Sequence, residues 1–121
     1  MKKIIMDTSF ILSAVRNKID FFDELFEYKI FIPEEVLREI KSFAVSDKKK
    51  RFKEDAELAL KILSKKKFEL VKLPHKHVDK GLISLAKDDK YFIIATLDRG
   101  IKKHFKNRIL TVRNEKSLEF V

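Results

Sequence analysis

The sequence predicts an α/β fold, specifically a three-layer α/β/α sandwich around a central, mainly parallel sheet. Short apolar segments alternate with amphipathic segments along the 121 residues, which is the pattern of strands joined by crossover helices. The two most apolar segments end at Met6 and Thr96. They are typical of central strands, which are covered on both faces. No repeat, low-complexity segment or linker divides the chain, so we expect one domain over residues 1–121.

Two helices are expected after the first strand. Thr8 or Ser9 is the expected cap of a helix over 10–16, because a side-chain hydroxyl accepts a hydrogen bond from the free amides of the first turn. A second helix is expected over about 20–28, where apolar residues recur at helical spacing. We expect them to pack in the core, although some could face a second subunit; they are Phe21, Phe22, Leu25 and Phe26.

Pro33 separates a short strand over 30–32 from the third helix. Proline suits the first turn of a helix, where its missing N–H needs no partner. Glu34 and Glu35 complement the positive end of that helix. Val36 and Ile40 lie on its apolar side, and Glu39 is placed on the last full turn.

The second half of the chain continues the alternation. A break at Ser46 and Asp47 precedes a long helix, and Gly81 and Gly100 are isolated, so the sequence has no glycine-rich phosphate-binding loop. The tail over 114–121 has no decisive pattern. The expected elements are a helix over 48–67, a strand over 68–71, a helix over 75–87, a strand over 91–96, a helix over 98–106 and a strand over 108–112.

Composition excludes several classes of site. The chain has no cysteine, so it has no disulfide, thiolate zinc site or cysteine nucleophile. No apolar run approaches the roughly 18 residues of a membrane-spanning helix, and the start lacks a secretory pattern, so we expect a cytoplasmic protein with no membrane contact. The net charge of +9 favours a polyanionic partner such as RNA. A solvated, ion-paired surface is the alternative explanation.

Four acidic residues are notable for their positions. Asp7 and Asp98 follow the two most apolar strands, and ligands of open α/β sheets bind at the carboxyl ends of the strands. Glu39 and Asp79 lie on helices expected to flank that edge. Each acid alone could be a helix cap, a first-turn residue or a solvated residue. Together, four carboxylates are stable only around cations, and Mg²⁺ or Mn²⁺ prefers such oxygen ligands.

These segments resemble the PIN domains, a family of small metal-dependent ribonucleases. Asp7-Thr8-Ser9 is similar to the opening motif of the family, and Pro33 followed by Val36-Leu37-Arg38-Glu39-Ile40 to its second motif. Val78-Asp79 with the following apolar residues, and Ala95-Thr96-Leu97-Asp98, are similar to the third and fourth. The resemblance covers 3–112. Lys80-Gly81 departs from the family pattern, in which a small or acidic residue usually follows the third acid, so the match is weakest at Asp79.

The resemblance implies that Asp7, Glu39, Asp79 and Asp98 are the catalytic residues and bind one or two Mg²⁺ or Mn²⁺ ions. It assigns supporting roles to Ser9 and Thr96. Water would then cleave an RNA phosphodiester. The chain most resembles the archaeal proteins similar to Fcf-type rRNA-processing factors, and next the VapC-type toxins. The resemblance implies a ribosome-assembly partner or an antitoxin, and a homodimer.

Basic residues are concentrated in two places. The segment 41–67 has ten basic and four acidic residues, and its basic run Lys48-Lys49-Lys50-Arg51 is a candidate RNA contact. An exposed helix face explains the same run equally well. Arg99, Lys102 and Lys103 follow Asp98 and are better placed to contact a substrate. His75 and His77 form a pair that we interpret as loop residues, because no third nitrogen or thiolate ligand is near.

Two other functions remain as alternatives. A noncatalytic scaffold would bind RNA through its basic helix in a larger assembly, but a degenerate site would be expected to lack at least one of the four acids. A haloacid-dehalogenase-like phosphatase needs a second aspartate two residues after the first, and Ser9 occupies that place. The sequence therefore favours a metal-dependent endoribonuclease.

Overall fold

Six strands and six helices make up the part of the chain that the structure describes. The computed structural model describes residues 2–46, 48 and 50–121. The strands are β1 (Lys3–Met6), β2 (Lys29–Pro33), β3 (Glu69–Val71), β4 (Phe92–Ala95), β5 (Ile109–Arg113) and β6 (Ser117–Phe120). The helices are α1 (Thr8–Arg16), α2 (Phe21–Glu24), α3 (Glu34–Ala44), α4 (Lys50–Leu63), α5 (Val78–Asp88) and α6 (Arg99–Lys102).

The strands form one sheet in the order β3-β2-β1-β4-β5-β6. The first five strands are parallel, and β6 pairs antiparallel with β5. As predicted, the two most apolar strands are neighbours at the centre, where Ile5 pairs with Ile94 and Met6 with Ala95. Since parallel strands end at the same edge, the residues that follow Met6 and Ala95 meet there.

Two buried clusters pack on opposite faces of the sheet, which confirms the three-layer α/β fold. One cluster joins alternate strand residues such as Ile4 and Met6 to α1, α3 and α4. The other joins Ile5, Ile94 and Ile109 to α5 and α6. This separation follows from the alternation of side chains along each strand.

The starts of α1 and α3 differ from the prediction. The cap of α1 is Asp7 and not Thr8 or Ser9, because the Asp7 carboxylate accepts a hydrogen bond from the Phe10 amide. Pro33 is the last residue of β2 and precedes the first turn of α3. Its φ of −62° and ψ of 142° are extended, so the helix begins one residue later than expected.

Helix α2 is much shorter than predicted. It ends at Glu24, and its backbone continues as a turn. Phe21 and Leu25 are buried as expected, but 78% of the Phe26 surface is exposed. Apolar residues at helical spacing share one face only as long as the helix continues. Helix α2 ends before Phe26, so Phe26 does not lie on the buried face.

Helix α4 and the tail also differ from the expected bounds. Helix α4 covers 14 residues of the predicted 48–67 segment, and Asp47, half of the predicted break, lies outside the described residues. The tail, for which the sequence has no decisive pattern, forms β6 after a tight turn at Asn114 and Glu115, both with positive φ.

Within the described ranges, no helix is long and apolar enough to cross a membrane.

Candidate active site

The carboxyl edge of the central strand pair brings Asp7 next to the end of β4. The Asp7 amide donates a hydrogen bond to the Ala95 carbonyl over 3.0 Å, which extends the β1–β4 pairing by one residue. Asp7 is 5% exposed and Thr96 is fully buried. A carboxylate is therefore buried at this edge of the sheet. Burial of an ionised group costs free energy unless hydrogen bonds or an opposite charge stabilise it.

Three neutral donors hold the Asp7 carboxylate. Its Oδ1 accepts hydrogen bonds from the Ser9 hydroxyl over 2.8 Å and from the Phe10 amide over 2.9 Å. Its Oδ2 accepts a hydrogen bond from the Thr96 hydroxyl. No cationic side chain of the described part of the chain pairs with Asp7. The hydrogen bonds thus fix the orientation of the carboxylate, but no positively charged side chain of the described residues neutralises it.

The same two hydroxyls connect the ends of β1 and β4. The Thr96 hydroxyl accepts a hydrogen bond from the Asp98 amide over 3.0 Å, and the Ser9 hydroxyl accepts one from the Leu97 amide over 3.1 Å. Ser9 and Thr96 therefore hold the Asp7 carboxylate and the 97–98 backbone in one arrangement. A supporting role of both residues in catalysis stays a prediction from the sequence.

Burial raises the pKa of Asp7 from 3.8 to about 6. The three hydrogen bonds lower this pKa, and the negative charge of Asp79 raises it further, but removal from water is the largest cause. At neutral pH the group is still mostly ionised. A buried negative charge with only neutral donors attracts a cation.

Asp79, Asp98 and Glu39 lie close enough to interact. The pKa of Asp79 is raised above its usual value by partial removal from water, then by the charge of Asp98 and a side-chain hydrogen bond with it, and then by the charge of Glu39. Asp98 also caps α6 by accepting a hydrogen bond from the Gly100 amide over 2.7 Å. The four acids predicted from sequence thus interact electrostatically through Asp79.

The four acids are not packed as a ready-made ligand shell. Among residues 2–46, 48 and 50–121, no three acidic or histidine side chains are close enough together to hold a metal ion. Glu39 and Asp79 are exposed on α3 and α5, whereas Asp7 is buried. The site therefore combines one buried acid with exposed acids on two flanking helices.

Comparison with known proteins identifies the family. Residues 4–114 match the family described as "PIN like domain", and this range includes all four acids. The chain belongs to the PIN-like domain family. The resemblance predicted from the four sequence motifs is therefore confirmed.

This PIN-like chain is 30% identical to "Ribonuclease VapC4" of Methanocaldococcus jannaschii, with 98% of this chain and 96% of that protein covered. Its fold is similar to that of the PIN domain endonuclease Utp24, with a TM-score of 0.73 and 24% identity over 98% of this chain and 92% of that one. The first similarity supports a nuclease as the general class of activity. The second supports the fold.

Basic residues flank the acidic edge of this PIN-like domain. Lys48, Lys50 and Arg51 are exposed, and the next residue, Phe52, lines a cleft together with Ser9. The start of α4 therefore lies beside the acidic edge. Lys49, also predicted to contact RNA, lies outside the described residues.

Helix α6, which Asp98 caps, carries the second basic group. Arg99 and Lys103 are exposed, and Lys102 is half-buried. The helix covers only Arg99–Lys102, about half the predicted length. All three cations lie within five residues of Asp98 in sequence.

The cleft beside Ser9 contains polar residues that the sequence did not indicate. Arg16, Asn17 and Asn114 line it together with Ser9 and Leu97, and its volume is about 390 Å³. These residues come from the end of α1 and from the β5–β6 turn, which are far apart in sequence. Only the unpredicted β6 hairpin brings Asn114 to this edge.

His75 and His77 lie in the loop before α5, in agreement with their interpretation as loop residues, whereas the expected start of the helix at residue 75 was wrong because α5 begins at Val78. Both are exposed, and the Nδ1 atom of His75 accepts a hydrogen bond from the His77 amide over 3.1 Å. This bond accounts for one of the two ring nitrogens of His75. The pair belongs to the loop structure.

Proposed function

We propose that this PIN-like protein is a metal-dependent endoribonuclease that hydrolyses RNA phosphodiester bonds. One observation carries the proposal. Asp7 is a buried carboxylate with a raised pKa and only neutral hydrogen-bond donors, and Asp79, Asp98 and Glu39 add negative charge at the same edge. Such an arrangement is unfavourable unless a cation binds there.

The donor set fits Mg²⁺ or Mn²⁺. All four candidate ligands offer oxygen atoms, which hard divalent cations prefer. Burial raises the pKa of Asp7 and of Asp79, and neighbouring carboxylates raise both further; a bound cation would stabilise the ionised forms. When bound, such an ion generates a water nucleophile and stabilises the charge that develops on the phosphate.

The protein itself positions the ligands. Ser9 and Thr96 fix both oxygens of Asp7, and the hydroxyl of Thr96 also binds the Asp98 amide. The cap interaction with Gly100 holds one oxygen of Asp98. Exposed Glu39 and Asp79 can adjust their side chains when a substrate binds, whereas Asp7 provides the fixed point of the site.

RNA is the proposed substrate for two reasons. The relative that is 30% identical over nearly the whole chain is named a ribonuclease. The basic residues beside the acidic edge offset its repulsion of phosphate, and the net charge of +9 favours a polyanion. Contacts to the RNA backbone are proposed for Lys48, Lys49, Lys50, Arg51, Arg99, Lys102 and Lys103.

Two branches of the PIN domain family offer a biological context for this protein. The ribonuclease relative from Methanocaldococcus jannaschii favours the VapC branch, in which an antitoxin is the expected partner. The Fcf-like branch would instead have a ribosome-assembly partner. A homodimer and a cytoplasmic location stay predictions from the sequence.

The test is cleavage of an end-labelled structured RNA with Mn²⁺ and with EDTA. Wild-type protein is expected to cut only with Mn²⁺. Asp98→Asn is expected to reduce the cleavage rate by more than about a hundredfold, because it removes a charged ligand from the site. Asp88→Asn is the matched control, since Asp88 is exposed at the end of α5 and should cut like wild type.

Two results would contradict the proposal. Cleavage that continues in EDTA would contradict metal dependence. RNA that binds in a salt-dependent way but stays intact with Mn²⁺ would favour the noncatalytic scaffold.

A further inference from the structure

The cleft that begins at Ser9 extends away from the acidic edge along helix α1. Ser9, Ser13 and Asn17 line it at intervals of four residues, so they lie on one side of the helix. Eight residues at the helical rise cover roughly 12 Å. The Ser9 hydroxyl is 2.8 Å from the Asp7 carboxylate. One end of the cleft therefore adjoins the proposed catalytic site.

Two asparagine side chains of this cleft have amide groups available for hydrogen bonds. The Asn17 Nδ2 atom donates to the Ser13 carbonyl over 2.9 Å, which anchors the amide, and its Oδ1 atom has no partner among the described residues. In the same ranges, the side-chain atoms that are both buried and unpaired are the hydroxyls of Thr8 and Thr111, so the Asn17 oxygen is accessible to solvent. Asn114 is exposed, and its side chain makes no hydrogen bond within the described part of the chain.

The turn between β5 and β6 brings Asn114 to the cleft. Its φ of 53° lies in the left-handed region, which asparagine adopts more readily than most residues. Asn17 comes from the end of α1 and Asn114 from this turn, so two separate elements bring amide groups to one cleft.

The charge of the cleft does not favour a phosphate. Arg16 is the basic residue of the described lining, and its guanidinium is already paired with Asp55 over 2.8 Å from Nε and 2.7 Å from Nη2. Glu115 lines the cleft as an exposed acid. An uncharged polar group therefore fits this cleft better than an anion.

Arg16 and Phe52 give the cleft a flat surface. The guanidinium lies over the Phe52 ring, 5.5 Å from its centroid, and the ion pair with Asp55 holds it there. Leu97 and Val112 are half-buried and add apolar surface. Unpaired RNA bases stack on aromatic rings and on guanidinium planes, and their edges form hydrogen bonds. The cleft offers both kinds of contact in about 390 Å³.

The amide groups match the edge of adenine. Adenine presents an amino donor beside a ring-nitrogen acceptor, and an asparagine amide has one acceptor and one donor to pair with them. The Asn17 oxygen can accept from the amino group, and Asn114 can donate to the ring nitrogen. Uracil has a carbonyl oxygen in place of the amino group, and this oxygen would face the Asn17 acceptor.

We propose that the cleft binds an unpaired adenine of the RNA, beside the phosphodiester at the acidic edge. Asn17 and Asn114 contact the base edge, and Arg16 and Phe52 contact its face. The inference rests on the proposed endoribonuclease function, which it deepens by assigning a base preference to the substrate. None of these four residues is a candidate metal ligand or one of the cations proposed to contact the RNA backbone.

The experiment measures binding of fluorescein-labelled RNA hexamers by fluorescence anisotropy in EDTA. The hexamers are hexauridylate and three others in which one central uridine is replaced by adenosine, cytidine or guanosine. Wild-type protein is expected to bind the adenosine hexamer at least about fivefold more tightly than hexauridylate, the lower range for one bidentate pair of an amide with adenine. The cytidine and guanosine hexamers should bind like hexauridylate.

Asn114→Gly is expected to reduce this preference to about twofold or less and to leave the affinity for hexauridylate unchanged. Glycine accepts the positive φ, so the turn is kept. Asn107→Gly is the matched control, because Asn107 is also exposed with a positive φ of 63° but is outside the cleft lining. A merely structural role of Asn114 would change the affinity for all hexamers equally and leave the preference intact.

The outcomes separate the inference from the proposed function. Equal affinity of wild type for all four hexamers, tighter binding of another base, or an unchanged preference in Asn114→Gly would each overturn the inference, even if Mn²⁺-dependent cleavage is observed. An adenine preference that is lost in Asn114→Gly and kept in Asn107→Gly would support it. If wild-type protein then cut no RNA with Mn²⁺, the base site would stand and the nuclease would be overturned.

Discussion

Asp7 combines a structural role with a candidate catalytic one. It caps α1 through the Phe10 amide and is held by Ser9 and Thr96. The cap explains why this position needs a side-chain acceptor, but an asparagine would satisfy the cap as well. The burial of a full negative charge has no structural advantage, so the charge itself points to a function.

The stability of the metal-free protein should depend on pH through Asp7. Its pKa is about 6 in the folded protein and 3.8 when unperturbed, so its contribution is fully present below about pH 4 and is lost as pH rises through about 6. The loss is up to about 3 kcal/mol. Asp7→Asn lacks this titration. In EDTA, its Tm should exceed that of wild type by an amount that grows from pH 4 to pH 7.5.

Asp88→Asn serves as the control for this comparison, because Asp88 is exposed at the end of α5. Its melting curve should follow wild type across the whole pH range. A difference between Asp7→Asn and wild type that stays constant with pH would contradict the burial argument. So would a wild-type protein that gains stability relative to Asp7→Asn as pH rises.

Helix α5 depends on a close contact at Gly81. A Cβ atom at this position would lie 2.8 Å from the Leu73 Cβ atom, and Leu73 is buried and belongs to the second core cluster. The sequence showed only an isolated glycine. In the fold, Gly81 allows the loop before α5 to pack against the helix that carries Asp79.

Gly81→Ala is expected to destabilise the protein by about 1–2 kcal/mol. Overpacking typically costs about 1–3 kcal/mol, and the higher helix propensity of alanine recovers part of it. The measurement is urea unfolding, with Ser84→Ala on the same helix as control. Equal or greater stability of Gly81→Ala would show that Leu73 can move away without cost.

Element bounds were predictable where a local signal was strong and not where tertiary contacts decided them. Apolar runs identified β1 and β4, and Asp98 was placed correctly after β4. Strand β6 was not predictable, because its pairing depends on β5 and on a turn with two positive-φ residues, Asn114 and Glu115. The prediction that Phe26 packs in the core was wrong, because apolar spacing does not show where a helix ends.

At the scale of the whole molecule, the sequence predicted the central sheet better than the surroundings of its carboxyl edge. Parallel strands end at one edge, so the two apolar strands were enough to place the residues after Met6 beside those after Ala95. The cleft beside Ser9 had no sequence signal. Arg16, Asn17 and Asn114 line it because the end of α1 and the β5–β6 turn meet in the fold.

The distribution of charge links these scales. Phe52, beside the basic start of α4, lines a cleft with Ser9, and the basic helix α6 is capped by Asp98, within a chain of net charge +9. Opposite charges placed side by side steer a polyanion to the edge while the acids remain available to a cation. The central claim is therefore that the acidic edge binds a divalent cation.

The most direct test of this claim is calorimetric titration of the metal-free protein with Mn²⁺ at pH 6 and pH 8, in two buffers of different ionisation enthalpy. We predict binding that releases protons at pH 6, where Asp7 is about half protonated, and fewer at pH 8. Asp7→Asn should bind far more weakly, and Asp88→Asn should bind like wild type. No binding by wild type, or equal binding by Asp7→Asn, would contradict the account.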